Sequence, residues 1–185
     1  MMYPRAAVSA GRLHEVMDMP ITVASPDPQV AITESDEFGT LEFRDVDFAY
    51  PDASKPVLRN ISFKTNPGEM VAFIGSTGSG KSTIVKLIPR FYDVSKGQIL
   101  IDGIDVRNYE LNALRSKIGY TPQKALLFTG EIAEDLRYGK FNADDMDLDR
   151  ATNVAQASEF INRLETKYAT HLDEGGANLS GGQKQ

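Results

Sequence analysis

The residues Gly75-Ser76-Thr77-Gly78-Ser79-Gly80-Lys81-Ser82-Thr83 carry the clearest chemistry in the chain. Glycine costs backbone entropy, so a cluster of it calls for a reason. With Lys81-Ser82 directly behind Gly80, the spacing is that of a loop whose backbone N–H groups turn inward around a phosphate. Lys81 would bridge the terminal phosphates of such a ligand, and the Ser82 hydroxyl would coordinate Mg²⁺. Such a loop needs a strand before it and a helix after it, so that the helix presents its positive end to the anion. The apolar run Met70 to Ile74 reads as a buried parallel strand, and Ile84, Leu87 and Ile88 have helical spacing.

The surrounding pattern supplies the rest of the scaffold. From Leu41 to Tyr50 apolar residues alternate, with a slip at Asp45-Val46, and Val57 to Thr65 behaves similarly. These two read as antiparallel strands. Gln98 to Asp102 reads as a further strand closed by the Asp102-Gly103 turn, followed by a short helix at Leu111 to Arg115 and a strand at Lys117 to Thr121. Beyond Phe141 the spacing is helical, with Leu148, Ala151, Val154, Ala155, Ala157, Phe160, Ile161 and Leu164 recurring at three- and four-residue intervals, which reads as a mostly helical subdomain. Asp145, Asp147 and Asp149 alternate as in a calcium loop, but Arg150 and Gln156 stand where that loop needs glycine and glutamate. They read as the start of a helix, where negative charge is favoured. At the N-terminus Val8, Leu13, Val16 and Met17 suit one helical face closed by Pro20. Residues 21–40 mix Pro, Ser, Asp and Glu without period, as a linker does.

Composition narrows the functions available. The 185 residues carry a net charge of −6, which argues against a general affinity for the nucleic acid backbone. There is no cysteine, hence no disulfide framework and no thiolate metal site. His14 and His171 read as ordinary polar residues. The apolar runs fall far short of the roughly 20 residues that cross a bilayer. The N-terminus has no signal-peptide pattern.

A second motif decides what kind of phosphate loop this is. Leu179-Ser180-Gly181-Gly182-Gln183 (LSGGQ) resembles the signature of the ATP-binding cassette family, and it follows the helical segment as that family's pattern requires. Between the two motifs, GYTPQ places Gln123 where the family has its Q-loop glutamine, and DFAYP supplies Tyr50, matching the aromatic that stacks on adenine. The N-terminal PRAAVSAGRLHEVMDMP, the segment ALLFTGEIAEDLRYG and the stretch DEGGANLSGGQ resemble exporter-type half-transporters, and Glu174 matches an acidic coupling residue. His171 stands where an acidic residue is common and Asp173 where glycine is.

The resemblance implies an α/β fold. It is a P-loop NTPase core with a mixed or parallel sheet, an N-terminal antiparallel β subdomain and a helical signature subdomain. Residues 1–20 would be the end of the last membrane helix and its connector, 21–40 a linker, and 41–185 a partial nucleotide-binding domain divided at 140/141. ATP would be held by Tyr50, Gly75, Ser76, Thr77, Gly78, Ser79, Gly80, Lys81, Ser82 and Thr83. Ser82 and Gln123 would hold Mg²⁺, with Gln123 also positioning the attacking water. Ser180, Gly181, Gly182 and Gln183 would close over the nucleotide of a second, head-to-tail copy. The family's Walker B aspartate, catalytic glutamate and switch histidine match no residue of this sequence, so the chain alone is expected to bind MgATP weakly and hydrolyse it inefficiently. The implied function is to power export by ATP binding, dimerisation and hydrolysis. The domain would do so beside a membrane domain of the same polypeptide, at the cytoplasmic face of the plasma or inner membrane and without a nucleic acid partner. The alternative is a soluble ATPase of the same family acting on DNA or ribosomes, for which a basic surface would be expected.

Overall fold

The computed structural model describes residues 3–26, 38–51 and 53–184, which form two compact units that divide after Gly119. In the first unit, β1 (Leu41–Phe48) is the centre of an antiparallel sheet, with β2 (Leu58–Thr65) on one side and β3 (Lys96–Ile101) then β4 (Ile104–Asp105) on the other. The register pairs Phe43 with Phe63 and Ile99, so one apolar row crosses three strands. The Phe43 and Phe63 rings stack with centroids 4.6 Å apart. The slip read at Asp45-Val46 is a bulge, at which the pairing of β1 shifts against both neighbours and Asp45 turns to φ 48°. An extra residue of this kind re-aims the strand, so that Val46 and Phe48 return to the buried face. The expected Asp102-Gly103 turn joins β3 to β4 with both residues at positive φ, as a tight hairpin requires.

The helix α2 (Lys81–Leu87) lays Ile84 and Leu87 against this sheet, and α3 (Leu111–Ser116) adds Leu114. Each fully buried side chain of this size contributes about 1.5–3 kcal/mol. Tyr109 is also enclosed, and its hydroxyl donates to the Ile101 carbonyl at 2.9 Å, so no polar atom is left unsatisfied by its burial.

Two sequence expectations are corrected here. The segments 70–74 and 117–121 are not paired into a sheet. Phe73 and Ile118 do pack on the core, but Met70 and Ile74 are almost wholly exposed. A parallel strand is stabilised by ladder partners and by cover on both faces, and among the described residues no strand lies beside either segment.

The N-terminal helix α1 (Tyr3–Met17) forms as expected, and the apolar face expected of it, Val8, Leu13, Val16 and Met17, is solvent-exposed. Of the expected linker, the stretch 27–37 lies outside the described residues. Its two ends are fixed. The Leu111 N–H donates to the Ser25 hydroxyl at 3.1 Å, and the Gly39 N–H donates to Asp102 Oδ1 at 2.6 Å. Lys117 Nζ donates to Asp102 Oδ2 at 2.9 Å and stands 5.7 Å from the centre of the Phe38 ring.

Burial pushes the Asp102 carboxyl up, but Lys117 and the Gly39 and Thr40 N–H groups outweigh it and hold the carboxyl below its ordinary value of 3.8. A depressed carboxylate stabilises the fold in full above its unfolded value, and that contribution fades as pH falls towards the folded one. Asparagine tolerates the φ of 52° found here, so Asp102→Asn removes charge without straining the turn. The variant is expected to melt below the parent at pH 7, with the gap closing below about pH 4 in a pH series of melts. A gap that stays constant down to about pH 3 would show that the Lys117 pair contributes nothing.

The second unit is helical around a two-stranded ribbon. β5 (Gly130–Glu131) pairs antiparallel with β6 (His171–Leu172), and α4 (Ile132–Arg137) starts from a capping box between Glu131 and Glu134. The helix α5 (Asp145–Val154) is capped by Asp144, whose carboxylate accepts the Asp147 N–H at 2.8 Å. The acidic run therefore starts a helix, with Asp145 paired to Arg137 and Asp147 to Lys140. After α6 (Ser158–Arg163), Ile132, Ile161 and Leu172 close the core, with Leu127, Phe160, Leu164 and Leu179 around them. This core joins residues before 140 to residues after it, which is why the units part after Gly119 and not at 140/141. Of the recurring apolar residues, Ala151, Val154 and Ala155 stay exposed. Ala151 and Ala155 line an open cavity of about 470 Å³.

Candidate functional site

The segment 75–80 leaves the core and turns back into α2 at Gly80, the N-cap, with φ 92°. A side chain there is excluded twice over, because the backbone lies in the left-handed region and a Cβ would stand 2.6 Å from Leu58 Cδ2. The close seat of Gly80 on Leu58 ties the loop to β2. The Ser79 N–H closes the turn on the Ser76 carbonyl at 3.2 Å. Across the loop, Lys81 Nζ donates to the Gly75 carbonyl at 2.8 Å, the Ser76 carbonyl at 2.7 Å and the Ser79 hydroxyl at 3.2 Å. All three ammonium hydrogens are thereby engaged. A cavity of about 230 Å³ opens against Gly78, Gly80, Lys81, Ser82, Thr83 and Val57.

These residues fit a phosphate. The N–H groups of a helix's first turn have no intrahelical partner, the helix end is positive, and a cation stands on the loop. Thr83 is buried, and its hydroxyl is 3.1 Å from the Tyr50 hydroxyl. The half-buried Tyr50 ring stands edge-on to Phe48 and Tyr92, with centroids 4.9 and 5.1 Å away. Tyr50 is thus an aromatic fixed beside the loop helix. For a metal, the Ser82 hydroxyl is exposed at the cavity. No group of three His, Cys, Asp or Glu among the described residues could hold an ion without other ligands. Ser82 alone is no cation site, and Mg²⁺ held there would need phosphate oxygens and waters beside the hydroxyl.

In the second unit the LSGGQ residues begin α7 (Gly181–Lys184). The Ser180 N–H donates to Gln183 Oε1 at 2.9 Å and the Gln183 N–H to Ser180 Oγ at 3.4 Å, a reciprocal cap. Ser180, Gly181, Gly182 and Gln183 are all exposed, as are Gln123 and Glu174.

The sequence model that describes the ABC transporter family matches residues 58–185. The chain belongs to the ABC transporter family. It is 42% identical along its whole length to the ABC transporter ATP-binding protein YfiB of Bacillus subtilis (strain 168), covering 32% of that protein. It is 43% identical along its whole length to the ATP-dependent lipid A-core flippase of Xanthomonas campestris pv. campestris (strain 8004), covering 31% of it. Its structure matches that of a bacterial Atm1-family ABC exporter with ATP bound, with a TM-score of 0.87 and 34% identity over 98% of this chain and 31% of that one. The chain spans about a third of the length of these relatives. They are transporters, which leaves the DNA- or ribosome-acting alternative without support.

As a member of that family, the chain carries its 75–83 glycine loop in one unit and its LSGGQ stretch in the other. No described helix is long and apolar enough to cross a membrane. The Tyr50 to Thr83 contact and the contact of Lys184 with the Gly175 carbonyl were missed in the sequence. Both join residues through side chains packed in three dimensions, and no spacing rule registers that.

Proposed function

We propose that this domain binds MgATP on the 75–83 loop and powers export by a longer membrane transporter. The observation that carries this reading is the loop itself. A glycine-built turn runs into a helix N-terminus, with the Lys81 ammonium laid across it. In this reading the loop N–H groups and Lys81 hold the β and γ phosphates, and Thr83 and Ser82 flank them. Tyr50 offers its ring to adenine. Ser82 and Gln123 hold Mg²⁺, and Gln123 orients a water. When bound, MgATP supplies the free energy that transport consumes. The exposed Ser180 to Gln183 cap faces the nucleotide of a second domain, so each copy contributes two half-sites, and Glu174 transmits the closure to the membrane domain. The domain stands at the cytoplasmic face of the membrane. No residue of this sequence matches the family's metal-binding aspartate or catalytic glutamate, so this chain alone binds MgATP weakly and turns it over negligibly.

Isothermal titration of the chain with ATP, with and without Mg²⁺, tests the metal assignment. Ser82→Ala is expected to erase most of the gain in affinity that Mg²⁺ gives the parent, while binding of metal-free ATP changes by no more than about tenfold, since one neutral hydroxyl contact is worth about 0.5–1.5 kcal/mol. An undiminished Mg²⁺ effect in the variant would remove Ser82 from the metal site.

A further inference from the structure

The exposed Glu174 lies in a turn that is clasped on both sides. On the near side, Asn178 accepts the Asp173 N–H with Oδ1 at 3.1 Å and donates from Nδ2 to the His171 carbonyl at 2.8 Å. On the far side, Lys184 reaches back from α7 and its Nζ donates to the Gly175 carbonyl at 3.0 Å. The ammonium goes to this main-chain oxygen and forms no ion pair with Glu174. The aliphatic stem of the same side chain lies over Gly176, which is buried with φ 65°. A Cβ there would be 3.5 Å from Lys184 Cε and 2.7 Å from Leu127 Cδ1. Lys184 therefore grips the Gly175-Gly176 turn with both its head and its stem. The turn is closed by its own backbone, with the Gly176 N–H on the Asp173 carbonyl at 2.7 Å and the Leu179 N–H on the Gly176 carbonyl at 2.8 Å. The Lys184 N–H in turn holds the Ser180 carbonyl at 3.1 Å, which fixes the base of the side chain to the start of α7.

These contacts form one closed circuit through Ser180, Lys184, Gly175, Gly176 and Leu179. Chains of packed side chains and hydrogen bonds of this kind are what can carry coupling between neighbouring segments. We infer that Lys184 is a positioning residue that ties the signature helix to the Gly175-Gly176 turn, so that Glu174 moves with α7 as a single piece. This rests on the proposed nucleotide function, in which α7 is displaced when the signature meets the nucleotide of the second domain. Lysine suits the task because its long stem fills the space above Gly176 while its ammonium satisfies the carbonyl beyond.

The test is hydrogen exchange on the full-length transporter, comparing peptides from 75–83, 173–179 and 180–184 with and without MgATP plus vanadate. In the parent all three are expected to change their exchange on ligand addition. Lys184→Met keeps the stem and loses the donors. In it the response of 180–184 is expected to persist while that of 173–179 falls at least about threefold, because the two segments are uncoupled. Lys184→Arg, which can still donate to the Gly175 carbonyl, is expected to restore the joint response. Joint responses of undiminished size in Lys184→Met would overturn the inference. So would loss of the response at all three segments in that variant with none regained in Lys184→Arg, since that marks general damage to the fold. A parent that shows no response at 75–83 would instead defeat the nucleotide reading, and this inference with it.

Discussion

Replacing Lys81 with alanine is expected to weaken MgATP binding about 100-fold, a loss of about 3 kcal/mol drawn from charge-assisted bonds worth about 1.5–3 kcal/mol each. The ammonium already makes three short contacts with the loop, to Gly75, Ser76 and Ser79. Those contacts keep the ammonium on the loop, and a phosphate oxygen would replace at least one of them, an anionic acceptor taking the place of a neutral one. Alanine is the best of helix formers, and position 81 opens α2. The variant's own melting midpoint is therefore expected to move by only a few degrees, at about 2–4 °C per kcal/mol for a chain of this size. Equilibrium titration of both chains with MgATP checks the first number and calorimetry the second. Equal affinities would mean that Lys81 serves only to close the loop on itself.

The largest effect on folding is expected at Gly97, opposite the β1 bulge. Its φ is 84°, and an added Cβ would stand 2.4 Å from the Arg44 carbonyl oxygen and 2.5 Å from that of Asp45. Those atoms belong to the backbone of the central strand and cannot swing aside. The left-handed conformation costs a larger residue about 1–3 kcal/mol, and forced overpacking about 1–3 kcal/mol more. Gly97→Ala is thus expected to lower the melting midpoint by about 10 °C. Gly68→Ala is the control, since φ there is 80° but nothing lies within 4 Å of the new methyl group. It is expected to cost only about 1 kcal/mol. If the two variants melted together, the bulge would not be the rigid joint that the structure shows.

Local features were legible in the sequence. The glycine spacing of 75–80 announced a turn into a helix, and the broken alternation at Asp45-Val46 announced the bulge, because both are written in adjacent residues. The alternating acids at 145–149 read correctly as a helix start once glycine and glutamate were missing from a calcium pattern. What failed was pairing. The apolar runs at 70–74 and 117–121 have strand composition, yet a ladder is a relation between distant segments, and no described strand lies beside either. The apolar recurrence from Leu148 to Leu164 shows the same limit. Its spacing announced helix, but the helix breaks at 155–157 between α5 and α6, and which part is covered depends on how α5, α6 and the ribbon meet. The grip of Lys184 on Gly175 was invisible for a related reason. A lysine after a signature motif looks solvated until the turn it reaches is in place.

The central claim is that the 75–83 loop of this chain is a nucleotide phosphate site. The most direct measurement is a thermal melt of the 185-residue chain with and without MgATP, beside Lys81→Ala. Ligand that binds only the folded state adds about 2.7 kcal/mol at a hundredfold excess over Kd, which corresponds to a rise of about 5–10 °C. The expected result is such a rise in the parent and little or none in the variant. A cooperative melt that MgATP leaves unmoved in the parent, or raises equally in both chains, would contradict it.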